Sequence, residues 1–375
     1  MNSSSPMYVY YDLSIRNFES NQNQILRFTE TRNTPLVTKS NDYLLSIVRF
    51  QIDTFNLPVF FCDIQKNQAD PNLTPYSIVI NYEDKLGNNV TTTPTYIVWQ
   101  SQHVDAQVPL APSVRSTGYQ DFSSDYYYAY TFNHFITLIN QCFKEAFDKL
   151  VAVIPPVQYM DVPFLAWDES SNKASLYVRQ INFDPSISID QAPKFKIYFN
   201  QQLQTLFNSF PYLKYDSNPA TQRYEIVCNS FNGLNIVQLA NNTFDFIKVT
   251  QEFSTVAQWS PISSLIFCSN ILPVTSNQLS SPIVLDNGTV VQFTENTSST
   301  YQNIITDMAA DENFYKPNLL YVPDGEYRFV DLVGQQDIRN IEVTVYWRDK
   351  LGYLRNFYLP AGGAASMKLM FKRKY

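Results

Sequence analysis

Side chains suited to chemistry are few in this 375-residue chain, and they are far apart. There are two histidines: His103 in a Gln- and Asp-containing loop, and His134 at the head of an apolar-striped segment. A hydrolytic triad needs a histidine beside a nucleophile and an orienting acid. Neither histidine has a G-x-S-x-G elbow or a Cys–His signature near it, so both are expected to be structural or surface groups. Cys62, Cys142, Cys228 and Cys268 show no C-x-x-C spacing, and a zinc site from Cys and His would need closer ligands. MNSSSPM is no secretory signal, so reduced, buried thiols are expected. Nine glycines supply no phosphate-cradling loop. Acidic groups gather at Asp121/Asp125 and at Asp307/Asp311/Glu312, where oxygen ligands for calcium are available. The spacing matches no calcium loop and reads as solvated charge. Six N-x-S/T sequons, at Asn2, Asn72, Asn89, Asn241, Asn287 and Asn296, read as chance in an Asn- and Thr-rich chain. No catalytic, cofactor or metal constellation emerges, and an enzyme is not expected.

Two clusters suit contacts better than catalysis. Lys368, Lys372, Arg373 and Lys374 form a basic end on a chain of net charge −7. They read either as a charged sheet edge that discourages stray pairing or as a contact for a polyanion or an acidic partner. Four charges give only weak, salt-sensitive binding, and the overall acidity excludes wrapping nucleic acid over a large area. Tyr126-Tyr127-Tyr128 reads as packing between subunits or as a platform for sugars.

The elements that must position these groups are mostly strands. Hydrophobic residues make up 45% and aromatics 15% of the chain, with 26 Tyr and 27 Phe, which is ample for a large core. Charged residues are only 16%, well below the usual quarter. Such a surface suits a protein largely covered by neighbours, since charge is depleted and Tyr, Trp and Phe enriched at interface cores. It equally suits a β-sandwich with polar loops. No apolar run reaches transmembrane length.

The C-terminal 35 residues carry the plainest pattern. Val343, Val345 and Trp347 alternate with Thr344, Tyr346 and Arg348, the period of a half-buried strand. Asp349-Lys350-Leu351-Gly352 turns the chain into a second strand, 353–359. Met367, Leu369 and Phe371 then alternate along a last strand, which is expected to close a sheet begun near the N-terminus. Upstream, 43–54 and 76–82 read as strands, and Asp84-Lys85-Leu86-Gly87 echoes the later turn. Residues 133–153 carry an apolar stripe at three- and four-residue spacing, Phe135, Ile136, Ile139, Cys142, Phe143, Ala146, Phe147 and Leu150, which predicts a helix. A shorter helix is expected over 200–208, a hairpin over 165–180, and a strand pair, 224–228 with 236–239, around Asn232-Gly233. Asn287-Gly288 is the most specific hairpin signal. The fold expected is mainly β: a single jelly-roll β-sandwich, 1–84 with 246–375, carrying an inserted mixed α/β subdomain over 85–245.

Several segments, taken in order, resemble a known family. They are W-S-P-I-S-S-L-I-F-C-S-N-I-L-P-V at 259–274, I-I-T-D-M at 304–308, Y-K-P-N-L-L-Y at 315–321 and E-Y-R-F-V-D-L at 326–332, followed by V-Y-W-R-D-K-L-G and A-S-M-K-L-M-F-K-R-K. Together they are similar to the penton, or minor capsid, proteins of virophages, polinton-like viruses and related small double-stranded DNA viruses. The likeness is clearest over the last 120 residues or so. It implies one jelly roll, often with an inserted upper domain, assembling as homopentamers at the fivefold vertices of an icosahedral virion. Double-jelly-roll major capsid trimers would surround each vertex, and a fiber or host-surface component is a further partner to look for. The resemblance implies no cofactor, and the protein would be made in the host cell without a signal peptide. The basic C-terminus would then face the capsid interior. Two alternatives stand beside this: a jelly-roll attachment module for glycans or receptors, and the single-jelly-roll capsid protein of a small virus. The chain lacks the long basic arm common in the latter.

Overall fold

The computed structural model describes residues 6–374 apart from 20–21, 55–56, 66–67, 103–124, 155–160, 217, 219–220, 241, 276–283, 287–288, 291–302, 310–317, 323–327 and 351. The chain divides into two compact units, 1–58 with 261–375, and 59–260.

Eight strands frame the first unit: β1 (Tyr8–Arg16), β2 (Arg27–Thr31), β3 (Tyr43–Asp53), β4 (Ile262–Cys268), β5 (Ile304–Ala309), β6 (Val330–Leu332), β7 (Asn340–Asp349) and β8 (Ala364–Arg373). One sheet runs β1-β8-β3-β6 and the other β2-β7-β4-β5, and every one of these neighbours is antiparallel. The chain thus crosses repeatedly between two sheets, with the last strand lodged beside the first. This order of eight strands in two sheets is a jelly roll. Short strands extend both sheets: Asn318–Tyr321 pairs with β3, Leu354–Asn356 with β7, and Val284–Asp286 with Thr289–Val290, while the expected turn residues Asn287 and Gly288 lie outside the described residues.

The packing follows from the alternation. Ala365, Met367, Leu369 and Phe371 of β8 are all buried, flanked by Leu13 of β1 and by Leu45, Ile47, Phe50 and Ile52 of β3. Phe50 meets Phe267 of β4 edge-on, ring centroids 4.9 Å apart. β7 differs from the half-buried strand its alternation predicts. Val343, Val345 and Trp347 are buried on one face, but Thr344 and Tyr346 are buried on the other. That second face packs Tyr346 into a satellite cluster with Ile266, Cys268, Ile304 and Leu354. The turn after β7 forms as its sequence demands. Gly352 has φ +90°, its N–H donates to the Asp349 carbonyl (3.0 Å), and the Asp349 carboxylate accepts the Tyr353 N–H (2.9 Å).

The second unit enters the jelly roll between β3 and β4. Its helix α1 (Phe132–Val151) bonds to two sheets. Toward the four-stranded sheet, the Asn140 amide donates to the Leu165 carbonyl (2.9 Å) and accepts the Leu165 N–H (2.7 Å), as a neighbouring strand would. Toward the six-stranded sheet, the Cys142 thiol donates to the Thr95 carbonyl and Lys149 Nζ to the Thr95 hydroxyl. The stripe predicted from spacing, Phe135, Ile136, Ile139, Cys142, Phe143, Ala146, Phe147 and Leu150, is the buried face. A short helix, Gln201–Leu206, is capped by Asn200, whose side chain accepts the Leu203 N–H. The two ends of the unit meet: Phe60, near its entrance, lies 5.5 Å from Trp259, near its exit. Trp259 also contacts the rings of Phe132, Phe135, Trp167 and Phe207, and its indole N–H donates to the Leu206 carbonyl (2.9 Å).

Two expectations change. The divisions fall at 58/59 and 260/261 rather than at 84/85 and 245/246. Leu73–Glu83 falls within the span expected for the jelly roll, but its partners are Lys194–Asn200, Asn89–Thr91 and Thr95–Val98, all in the second unit. Likewise Asp245–Thr250 pairs with Lys173–Arg179. The expected strand pair around Asn232-Gly233 does not form. Arg223–Ile226 joins Lys194–Asn200 in one sheet, whereas Ile236–Gln238 joins Asp245–Thr250 in another.

Candidate functional site and interaction surfaces

The residues considered for catalysis serve the fold. His134 Nε2 donates to the Gln100 carbonyl (2.7 Å), and its ring stands edge-on to Trp99. Burial pulls its pKa below the usual value, which favours the neutral imidazole. All four cysteines are buried thiols outside any disulfide. Burial pushes the thiols of Cys142, Cys228 and Cys268 up to about 12, and raises Cys62 as well. They are therefore neutral and poor nucleophiles. Asp307 is ion-paired with Arg328 (2.5 Å). His103, Asp121, Asp311 and Glu312 lie outside the described residues. Among the described residues no three His, Cys, Asp or Glu side chains gather as a metal site.

The two clusters expected to make contacts fare differently. Tyr126, Tyr127 and Tyr128 are buried within the second unit and present no platform. The Tyr126 hydroxyl donates to Asn72 Oδ1 (3.0 Å), the Tyr127 hydroxyl donates to the Pro71 carbonyl (2.9 Å), and Tyr128 packs on Phe61. The hydroxyls supplied internal hydrogen-bond partners for an adjacent loop, so the rings went inward. The basic end stays accessible but is partly neutralised. Lys368 pairs with Asp12 (3.2 Å), which also pairs with Arg49 (3.0 Å). Lys374 pairs with Asp331 (2.7 Å), and Lys372 lies over the Phe329 ring (5.2 Å). The Arg373 N–H donates to the Met7 carbonyl, tying the last strand to the first.

Other surfaces gave weaker signals in the sequence. Tyr212–Tyr215 is an edge strand of the six-stranded sheet, exposed along its whole length with Tyr212, Leu213 and Tyr215 in water. Tyr8 and Tyr10 stack on each other on β1, an edge of the jelly roll. A groove of about 490 Å³ opens on the six-stranded sheet, with Ser77, Val79, Tyr96, Tyr198, Gln202 and Arg223 among its lining residues. Period-two alternation was the available signal for these positions. It tells which residues share a face, but not which face lacks a cover.

The family model for the Sputnik minor capsid protein V18/19 matches residues 9–373. The chain belongs to this family. It is 25% identical over 214 residues to structural protein V19 of the Sputnik virophage, an alignment covering 56% of this chain and 93% of that protein. A chain in the cryo-EM structure of the Sputnik virophage superposes with a TM-score of 0.82 at 25% identity, covering 99% of this chain and 100% of that one. The mavirus penton protein shares the fold, with a TM-score of 0.61 at 16% identity over 98% of this chain and 100% of the other. The chain is thus a virophage-type minor capsid protein with a structural role, and not an enzyme.

Proposed function

We propose that this minor capsid protein is a penton subunit that closes into a homopentamer at the fivefold vertices of an icosahedral virion, seated among trimers of a double-jelly-roll major capsid protein. The observation that carries the proposal is the match of fold along nearly the whole chain, insertion included, to a chain of the Sputnik particle. The likeness to a penton protein of mavirus supports the same fold. The mechanism is geometric. A subunit that presents two different lateral surfaces makes a heterologous contact, and such contacts close into a ring when the rotation between neighbours fits. The low charge content and the exposed edge tyrosines suit surfaces that become buried on assembly. The basic residues Lys368, Lys372, Arg373 and Lys374 would then turn toward the packaged genome. A cryo-EM map of purified virions tests the placement: fivefold density that accepts both units of the chain supports it. A vertex filled by a different fold removes it.

A further inference from the structure

The groove on the six-stranded sheet is built by the sizes of neighbouring side chains. Along Leu73–Glu83, Tyr76, Ile78, Ile80 and Tyr82 face the core. The residues between them face the opposite side, where Ser77 and Val79 are small. Ser77 lies opposite Tyr96, and Val79 lies opposite Tyr198. A low floor thus runs between two tyrosine walls, and both floor residues are buried although they point away from the core. Tyr96 is 38% exposed, so its ring is available to a ligand. Tyr198 is half-buried, and burial together with the nearby charge of Glu225 raises the pKa of its hydroxyl. The rim carries the amides of Gln201 and Gln202 and the guanidinium of Arg223. Among the described residues that line the groove, Arg223 is the one that carries a charge.

We propose that this groove binds a neutral saccharide, with Tyr96 and Tyr198 stacking on the apolar faces of the sugar rings and the glutamine amides pairing with hydroxyls. The volume lies in the range of about 300–1,000 Å³ usual for small-ligand sites. Tyrosine supplies a rigid apolar face with a polar tip, which matches a pyranose ring with its hydroxyl rim. A nucleic-acid strand fits poorly, because one cation cannot offset a phosphate backbone. An acidic sugar chain fits poorly for the same reason. Tyr126 to Tyr128, which read from the sequence as packing between subunits or as a sugar platform, are internal, and the accessible rings come from two strands about a hundred residues apart in sequence. The groove is confined to the second unit, so the proposal goes beyond the penton assignment and does not depend on it.

Saturation-transfer NMR on the full chain tests it, with cellobiose, maltotriose and N,N′-diacetylchitobiose as probes and an oligothymidylate as the competing class. The expected result is transfer to at least one sugar, weakened on the order of tenfold by Tyr96→Ala. Tyr212→Ala, on the exposed edge strand of the same sheet, leaves it unchanged. Tyr96 is exposed, so the variant is expected to fold, and far-UV circular dichroism checks that it has. Absence of transfer to all three sugars overturns the proposal. So does transfer that survives both Tyr96→Ala and Tyr198→Ala, and so does binding of oligothymidylate in preference to the sugars. Mass photometry of the same variants reads assembly separately, so a failed sugar site and a failed penton assignment give different results.

Discussion

Asp349 closes the turn after β7 and also ion-pairs with Arg355 at 3.0 Å, with both side chains almost fully buried. Arg355 in turn lies over the Trp347 ring. Removing one partner of such a pair strands a buried charge, so Asp349→Ala is expected to cost about 3–5 kcal/mol. The same turn chemistry at Asp84-Lys85-Leu86-Gly87 is solvent-exposed, and Asp84→Ala is expected to cost clearly less than Asp349→Ala. Urea unfolding of both variants checks the contrast, and equal losses would contradict it. The thiols give a second expectation. Their folded pKa values are raised, so the native state keeps protons that the unfolded chain releases above about 8.5. The stabilisation is therefore complete below pH 8.5 and drains away as pH rises toward 12. Alkylation by iodoacetamide at pH 8 should be slow in the native protein and fast in urea; fast native labelling would contradict the burial. The state of the cysteines was legible from their spacing and type. The tyrosine run was not, because three consecutive tyrosines read alike whether their hydroxyls find water or, as here, Asn72 and Pro71.

At the level of elements, α1 was legible because its stripe repeats at helical spacing and both flanking sheets need that face. The closing strand β8 was legible for the same kind of reason, with period two in place of 3.6. The error over Arg223–Ile226 and Ile236–Gln238 has a local cause. Asn232 and Gly233 do adopt positive φ, so the chain reverses there as their types predict. A turn specifies a reversal, but the partners of each strand are chosen by long-range pairing, here with Lys194–Asn200 and Asp245–Thr250. Trp259 is the element-scale counterpart of a clasp, since it joins the exit of the second unit to Phe60 at the entrance and to α1 through Phe132 and Phe135. Trp259→Ala is expected to destabilise that unit by about 3–5 kcal/mol. Hydrogen exchange checks this: faster exchange should spread through 59–260 while β8 stays protected. Loss of protection confined to the last turn before Trp259 would contradict the clasp.

At the scale of the whole molecule, the jelly roll was legible from its two ends, and the insertion from the helix in the middle. The boundaries were harder to see, because Leu73–Glu83 has the same alternating look as the jelly-roll strands and only its partners assign it to the second unit. The order β1-β8-β3-β6 over β2-β7-β4-β5 lies beyond any single stretch of sequence. The family match spans 9–373, so both units belong to the capsid role. The penton proposal requires that this chain assembles with itself in fives. Mass photometry of the purified protein measures this directly. A homopentamer gives a dominant species at about five times the 43.4 kDa of the chain. A strict monomer that persists as concentration is raised would contradict it.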